Sequence, residues 1–234
     1  LLEEYQNQDP NTGNEVRTTA SGRMTGIAFD PNNANTLYVA TAGGGVWKST
    51  NKGASFTSIT ASRPEFAYAS VAVDPANSNV IYAGTGDLTG YYGNGILKST
   101  DGGNNWTLHG TAEFGANAVV QIIIDPGNSN RIFAATGWAA QRPAKNEPPG
   151  KGVFRSTDGG ATWQQVLDCN PCANGFTDLL MQPGNAQVLY AANAGVGIFK
   201  STDGGDNWNQ LADFSAKVGR QNYQRLEMAI GSGA

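Results

Sequence analysis

An all-β fold built from propeller blades is what this sequence predicts. Three observations carry that expectation: a turn phrase written four times, a second turn motif ahead of each copy, and apolar runs of strand length between them. Self-similarity at a period of roughly 40–50 residues with strand-like segments is the mark of blade repeats. Glycine at 31 of 234 residues and charged residues at only 15% fit a turn-rich β chain better than a helical one.

The turn phrases are Ser49-Thr-Asn-Lys-Gly-Ala-Ser-Phe56, Ser99-Thr-Asp-Gly-Gly-Asn-Asn-Trp106, Ser156-Thr-Asp-Gly-Gly-Ala-Thr-Trp163 and Ser201-Thr-Asp-Gly-Gly-Asp-Asn-Trp208. They recur at intervals of roughly 45–57 residues. The motif ahead of them is Asp30-Pro-Asn-Asn-Ala-Asn35, Asp74-Pro-Ala-Asn-Ser-Asn79, Asp125-Pro-Gly-Asn-Ser-Asn130 and Gln182-Pro-Gly-Asn-Ala-Gln187. Asp and Asn bond the backbone two residues on and Pro fixes φ, so each is a hairpin turn. Residues 27–29, 71–73, 122–124 and 179–181 supply the strand before it, and segments such as 37–40 and 81–83 the strand after it. The third strand is Gly45-Val-Trp-Lys-Ser49 and its counterparts Gly95–Ser99, Gly152–Ser156 and Gly197–Ser201, with Trp47 aligned to Leu97, Phe154 and Phe199 as a core position. The fourth begins at Phe56, Trp106, Trp163 or Trp208. Four antiparallel strands per unit make a blade. The expected boundaries are an extension over 1–20, then a partial propeller over 21–234. Its blades are placed at about 21–62, 63–112, 113–170 and 171–220, with a fifth starting near 226. Because residues 226–230 align with the inner strands and blade one has its own, the chain is expected to be part of a larger propeller, with seven blades the expected number.

Within each phrase, Ser49, Ser99, Ser156 and Ser201, Asp101, Asp158 and Asp203, and Trp106, Trp163 and Trp208 are read as turn staples rather than ligands. They recur in every blade, whereas a catalytic group needs one special position. Ser-x-Asp-x-Gly-x-x-Trp at this turn resembles the Asp-box, or BNR repeat, of sialidases, xyloglucan-degrading glycoside hydrolases, sortilin-type receptors and photosystem assembly propellers. With the Asp-Pro turn and the Gly-Val-Trp-Lys-Ser strand, the pattern is most similar to the xyloglucanase and sortilin-like group over roughly residues 21–210.

Up-and-down topology puts the Asp-Pro and serine–aspartate turns on one rim, and the second-to-third-strand loops with the blade connectors on the other. The long loops fall on that second rim: 85–94, with Asp87, Tyr91 and Tyr92, and 136–151, with Trp138 and Arg142. Aromatic loops on a rigid scaffold suit sugar rings and peptide side chains alike, and solvated insertions remain the alternative. Arg23, just ahead of the first inner strand, is placed to meet either an anion at the channel mouth or backbone carbonyls between blades. Among the residues expected to begin inner strands (Gly26, Ser70, Gln121, Asp178 and Glu227), Asp178 and Glu227 are the candidate carboxylate pair for glycoside hydrolysis.

The resemblance weakens at the catalytic positions. The sialidase arginine triad and Arg-Ile-Pro start are absent. Xyloglucanases carry a catalytic Asp just before the Gly-Gly of their first third strand, where this chain has Ala42 in Thr41-Ala-Gly-Gly-Gly45. Their other catalytic carboxylate belongs to a second propeller. His109 is the sole histidine and has no Ser or Cys partner fixed by spacing. Cys169 and Cys172 are two ligands short of a zinc site and are expected to form a local disulfide, which implies an oxidising compartment. Net charge of -4 argues against nucleic acid, and no run of about 18 apolar residues exists to span a bilayer. The sequence therefore predicts a secreted or cell-surface propeller module that binds a glycan or protein on the loop-rich rim, with further blades as partners and no metal or cofactor. The alternative is a glycoside hydrolase, xyloglucanase-like or sialidase-like, whose active site is shared with other blades.

Overall fold

A computed structural model describes residues 2–8, 15–21, 23–65, 67–137, 151–168, 175–193, 195–211 and 226–231. A two-stranded hairpin, β1 (Leu2–Gln8) with β2 (Glu15–Ser21), precedes four antiparallel four-stranded sheets. Blade one holds β3 (Met24–Phe29), β4 (Leu37–Thr41), β5 (Val46–Ser49) and β6 (Thr57–Ser58). Blade two holds β7 (Tyr68–Asp74), β8 (Asn77–Thr85), β9 (Ile96–Ser99) and β10 (Thr107–His109). A single helical turn, α1 (Thr111–Phe114), leads into blade three: β11 (Ala118–Asp125), β12 (Asn128–Gly137), β13 (Gly152–Ser156) and β14 (Gln164–Asp168). Blade four holds β15 (Phe176–Gln182), β16 (Asn185–Asn193), β17 (Gly197–Ser201) and β18 (Asn209–Gln210).

In every blade the strands pair in chain order, and the first strands of successive blades pack on one another. The first strand is therefore innermost, as in a propeller. The register slips by one residue at the same place in each inner strand, between Met24 and Gly26, Tyr68 and Ser70, Val119 and Gln121, and Phe176 and Asp178. This repeated bulge confirms that Gly26, Ser70, Gln121 and Asp178 are equivalent positions.

The core lies between blades rather than within them. Tyr38, Val46, Tyr68, Val71, Ile81 and Leu97 join blades one and two. Phe114 sits between blades two and three, 4.9 Å from the Phe154 ring and 5.1 Å from that of Trp163, both edge-on. Phe133, Val153, Phe176, Leu179 and Leu189 join blades three and four. Each such side chain contributes roughly 1.5–3 kcal/mol through burial. Inner-strand residues that are buried in later blades stand open in the first, with Met24 70% and Ile27 57% exposed. Trp47, expected in the core, is likewise only half-buried, and its Nε1 donates to Gly44 O at 2.6 Å.

Candidate functional site

The serine–aspartate turns have one construction. Ser156 Oγ donates to Asp158 Oδ1 at 2.8 Å and accepts the Gly160 N–H at 2.8 Å, while Asp158 Oδ1 accepts from Thr162 N at 2.9 Å. Ser99 with Asp101 and Ser201 with Asp203 repeat it, and the drifted first copy does the same with Ser49 and Asn51. Trp106, Trp163 and Trp208 close their turns by donating Nε1–H to Gly103, Gly160 and Gly205. These bonds to the charged form hold all three carboxyls at a pKa of about 2. For Asp101 and Asp203 the leading contribution is the backbone N–H of Asn105 and Asn207; for Asp158 it is the Thr162 hydroxyl. The carboxylates are saturated by their own turns.

The same rim carries a device absent from the sequence-based expectations. Lys48 Nζ donates to Gly102 O of the next blade at 3.0 Å, Lys98 Nζ to Gly159 O at 2.7 Å, and Arg155 Nη1 to Gly204 O at 3.2 Å. The Asp-Pro turns also reach forward, with Asp30 Oδ1 accepting from Ser78 Oγ at 2.5 Å and Asp74 Oδ1 from Ser129 Oγ at 2.6 Å. At the third junction Ala186 replaces the serine. There Arg131 bridges Asp125 Oδ2 at 2.8 Å and Ala186 O at 3.0 Å. A basic residue directly before every phrase serine was the available signal.

On the opposite rim the structure brings Arg23 and Asp87 together across blades one and two. Arg23 Nη2 bonds Asp87 Oδ1, and Asp87 Oδ2 accepts from Thr89 Oγ1 at 2.9 Å. The Asp87 carboxylate is almost fully buried and Arg23 about half-exposed. The Asp87 N–H donates to Tyr91 O at 2.7 Å, which curls the loop, and Leu88 packs against the core of blades three and four. Tyr91 and Tyr92 project at the tip of this anchored loop, Tyr92 60% exposed. The Ala42 N–H donates to Arg23 O at 2.9 Å, so position 42 sits at the same mouth. Arg23 thus meets a carboxylate rather than the carbonyls between blades.

Asp178 lies two blades further round, on the inner strand of blade four, beside the segment 226–230. Its Oδ1 accepts from Leu179 N at 2.8 Å and its Oδ2 from Met228 N at 2.7 Å. Thr177 Oγ1 donates to Leu226 O at 2.8 Å, the contact that Thr25 Oγ1 makes with Tyr68 O at 2.5 Å. By that parallel Leu226 takes the place of Tyr68, and Met228, rather than the exposed Glu227, falls at the place of Asp178. A one-residue offset in an extended segment turns a side chain to the opposite face. His109 Nε2 and Thr107 Oγ1 lie 2.9 Å apart, and burial, then the Lys98 charge, pulls its pKa down. Trp138, Arg142, Cys169 and Cys172 lie outside the described residues. Among the described residues no group of three or more His, Cys, Asp or Glu is arranged to hold a metal ion, and no helix is long and apolar enough to cross a membrane.

With this geometry the chain resembles known glycan-active propellers. A xyloglucanase of Hypocrea jecorina (strain QM6a) is 30% identical over 160 residues, 62% of this chain and 18% of that protein. A probable oligoxyloglucan-reducing end-specific xyloglucanase of Neosartorya fischeri is 27% identical over 189 residues, 75% of this chain and 22% of that protein. The crystal structure of an ancestral GH74 enzyme superposes with a TM-score of 0.66 at 31% identity, covering 90% of this chain and 25% of that one. No family model matches. Its sequence relatives include xyloglucanases and its structural neighbours include a GH74 enzyme, a likeness that supports the β-propeller arrangement of the four blades. The chain spans about a fifth of the length of these curated relatives.

Proposed function

We propose that this chain supplies part of the glycan-binding rim of an extracytoplasmic, xyloglucan-directed glycoside hydrolase of the GH74 kind. The observation that carries the proposal is the anchored loop at the mouth of blades one and two. The Arg23–Asp87 bridge holds its base, and Tyr91 and Tyr92 face solvent at its tip. Flat aromatic faces on a fixed backbone match pyranose rings, and preorganisation lowers the entropy lost on binding. Likeness to xyloglucanases over most of the chain favours a glycan over a protein ligand.

Binding rather than bond cleavage is the role assigned to these residues. Ala42 stands where the resemblance places a catalytic Asp, and each Asp178 oxygen accepts a backbone N–H. The full-length polypeptide carrying this sequence is expected to be retained on xyloglucan in affinity electrophoresis, and to release reducing ends from it. Asp178→Asn and Glu227→Gln leave that release within about twofold, since neither acts as acid or base. Loss of release with unchanged binding in either variant would return that residue to a catalytic role. Absence of both retention and release would remove the xyloglucan assignment.

A further inference from the structure

The loop between β8 and β9 is fastened to more of the molecule than its own blade. On one side Arg23 of blade one holds the Asp87 carboxylate. The Gly86 N–H donates to Ala67 O at 2.8 Å and the Gly93 N–H to Ala116 O at 3.3 Å, which ties both ends of the loop to the flanking connectors. Leu88, the very next residue after Asp87, is held from the other side. It packs against the cluster of Val120, Phe133, Phe176 and Leu179 that joins blades three and four.

Two glycines make the seat for it. Gly137, the last residue of β12, pairs antiparallel with Gly175, just ahead of β15. A Cβ on Gly137 would stand 2.6 Å from Leu88 Cδ2 and 2.6 Å from Phe176 O, so a larger residue there would take the space of the Leu88 methyl. Gly175 has a φ of 74°, and a Cβ on it would come within 2.8 Å of Gly137 Cα. The seam thus admits a side chain from outside either blade. We infer that Leu88 is a positioning residue for the rim. Its seat at the Gly137–Gly175 seam and the Arg23–Asp87 bridge fix the turn that the Asp87 N–H closes on Tyr91 O, and so hold Tyr91 and Tyr92 as presented. What the loop binds rests on the glycan reading above; how it is held rests on packing alone.

Hydrogen exchange of the full-length polypeptide reads the seat without any ligand. In Leu88→Ala the Gly86, Asp87 and Gly93 amides should exchange about tenfold faster, the factor for truncating a half-buried leucine, while the β8 ladder amides keep their rates. Leu88→Met, which conserves volume, should restore the protection. Titration with a xyloglucan oligosaccharide reads the positioning. Leu88→Ala and Asp87→Asn each leave one anchor in place, so each alone should raise Kd by only about two- to threefold. Together they should raise it by about tenfold or more, above the product of the two, because the loop then has neither anchor. Unchanged loop exchange in Leu88→Ala would overturn the inference, and so would a double variant that binds no more weakly than that product. A protein that binds no oligosaccharide before substitution would refute the glycan reading, and loop exchange alone then decides the seat.

Discussion

Replacing Ser156 by Ala isolates what one serine–aspartate turn contributes. The hydroxyl accepts the Gly160 N–H at 2.8 Å and donates to Asp158 Oδ1 at 2.8 Å. Gly160 is buried, and a Cβ placed there would meet the Tyr82 ring at 3.0 Å, Trp163 at 3.5 Å and Ile132 at 3.8 Å. No water reaches so apolar a spot, so the freed N–H stays without an acceptor, which costs about 1–3 kcal/mol. At about 2–4 °C per kcal/mol for a chain of this size, the midpoint falls by roughly 4–8 °C for the middle of that range. Ser49→Ala is the control. Gly53 is only half-buried, and a Cβ placed there would meet nothing nearer than 3.8 Å, so water substitutes and the loss stays below about 1 kcal/mol. Thermal and urea unfolding followed by circular dichroism reads both variants. Equal losses, or a Ser156→Ala loss under about 0.5 kcal/mol, would refute the claim that burial of the turn amide sets the cost.

Three other outcomes follow from the same structure. Asp101, Asp158 and Asp203 have a folded pKa of about 2 against 3.8 unfolded, so the stability they add is present above about pH 4. It is lost as pH falls from about 4 towards 2; carboxyl NMR titration checks the values, and Asp158→Asn should flatten that acid limb. Gly84→Ala would drive a Cβ to 2.4 Å from Val119 O and Ser70 Oγ, prising blades two and three apart at a cost of about 1–3 kcal/mol in urea unfolding. Asp87→Asn removes the charge that holds Arg23, and should weaken xyloglucan retention through the loosened 87–92 loop while leaving far-ultraviolet circular dichroism unchanged.

What could be read from the sequence was local. Ser99, Asp101 and Trp106 announce their turn because each bonds backbone within four residues, so the chemistry lies inside the motif. Phrase and strand spacing then fixed the blade order and the two rims. Contacts between blades were not legible, because their partners lie far apart in the chain. Lys48 and Gly102 are 54 residues apart, and Arg23 and Asp87 are 64 apart. Arg131 shows why even a repeat rule fails locally: where Ala186 lacks the serine hydroxyl, a side chain from a different strand position takes over. Residues 226–230 are expected by pattern to be an inner strand, and the structure places them beside β15 without forming a paired strand. The alternation there is too weak to set register, and only the Thr177–Leu226 contact does so.

Isothermal titration of the full-length polypeptide with a xyloglucan oligosaccharide, compared with its Tyr92→Ala variant, tests the binding rim most directly. Removing an exposed ring that stacks on a sugar is expected to raise Kd by about five- to tenfold, roughly 1–1.4 kcal/mol, with unfolding unchanged. An unchanged Kd would mean that the glycan does not touch the loop held by Arg23 and Asp87.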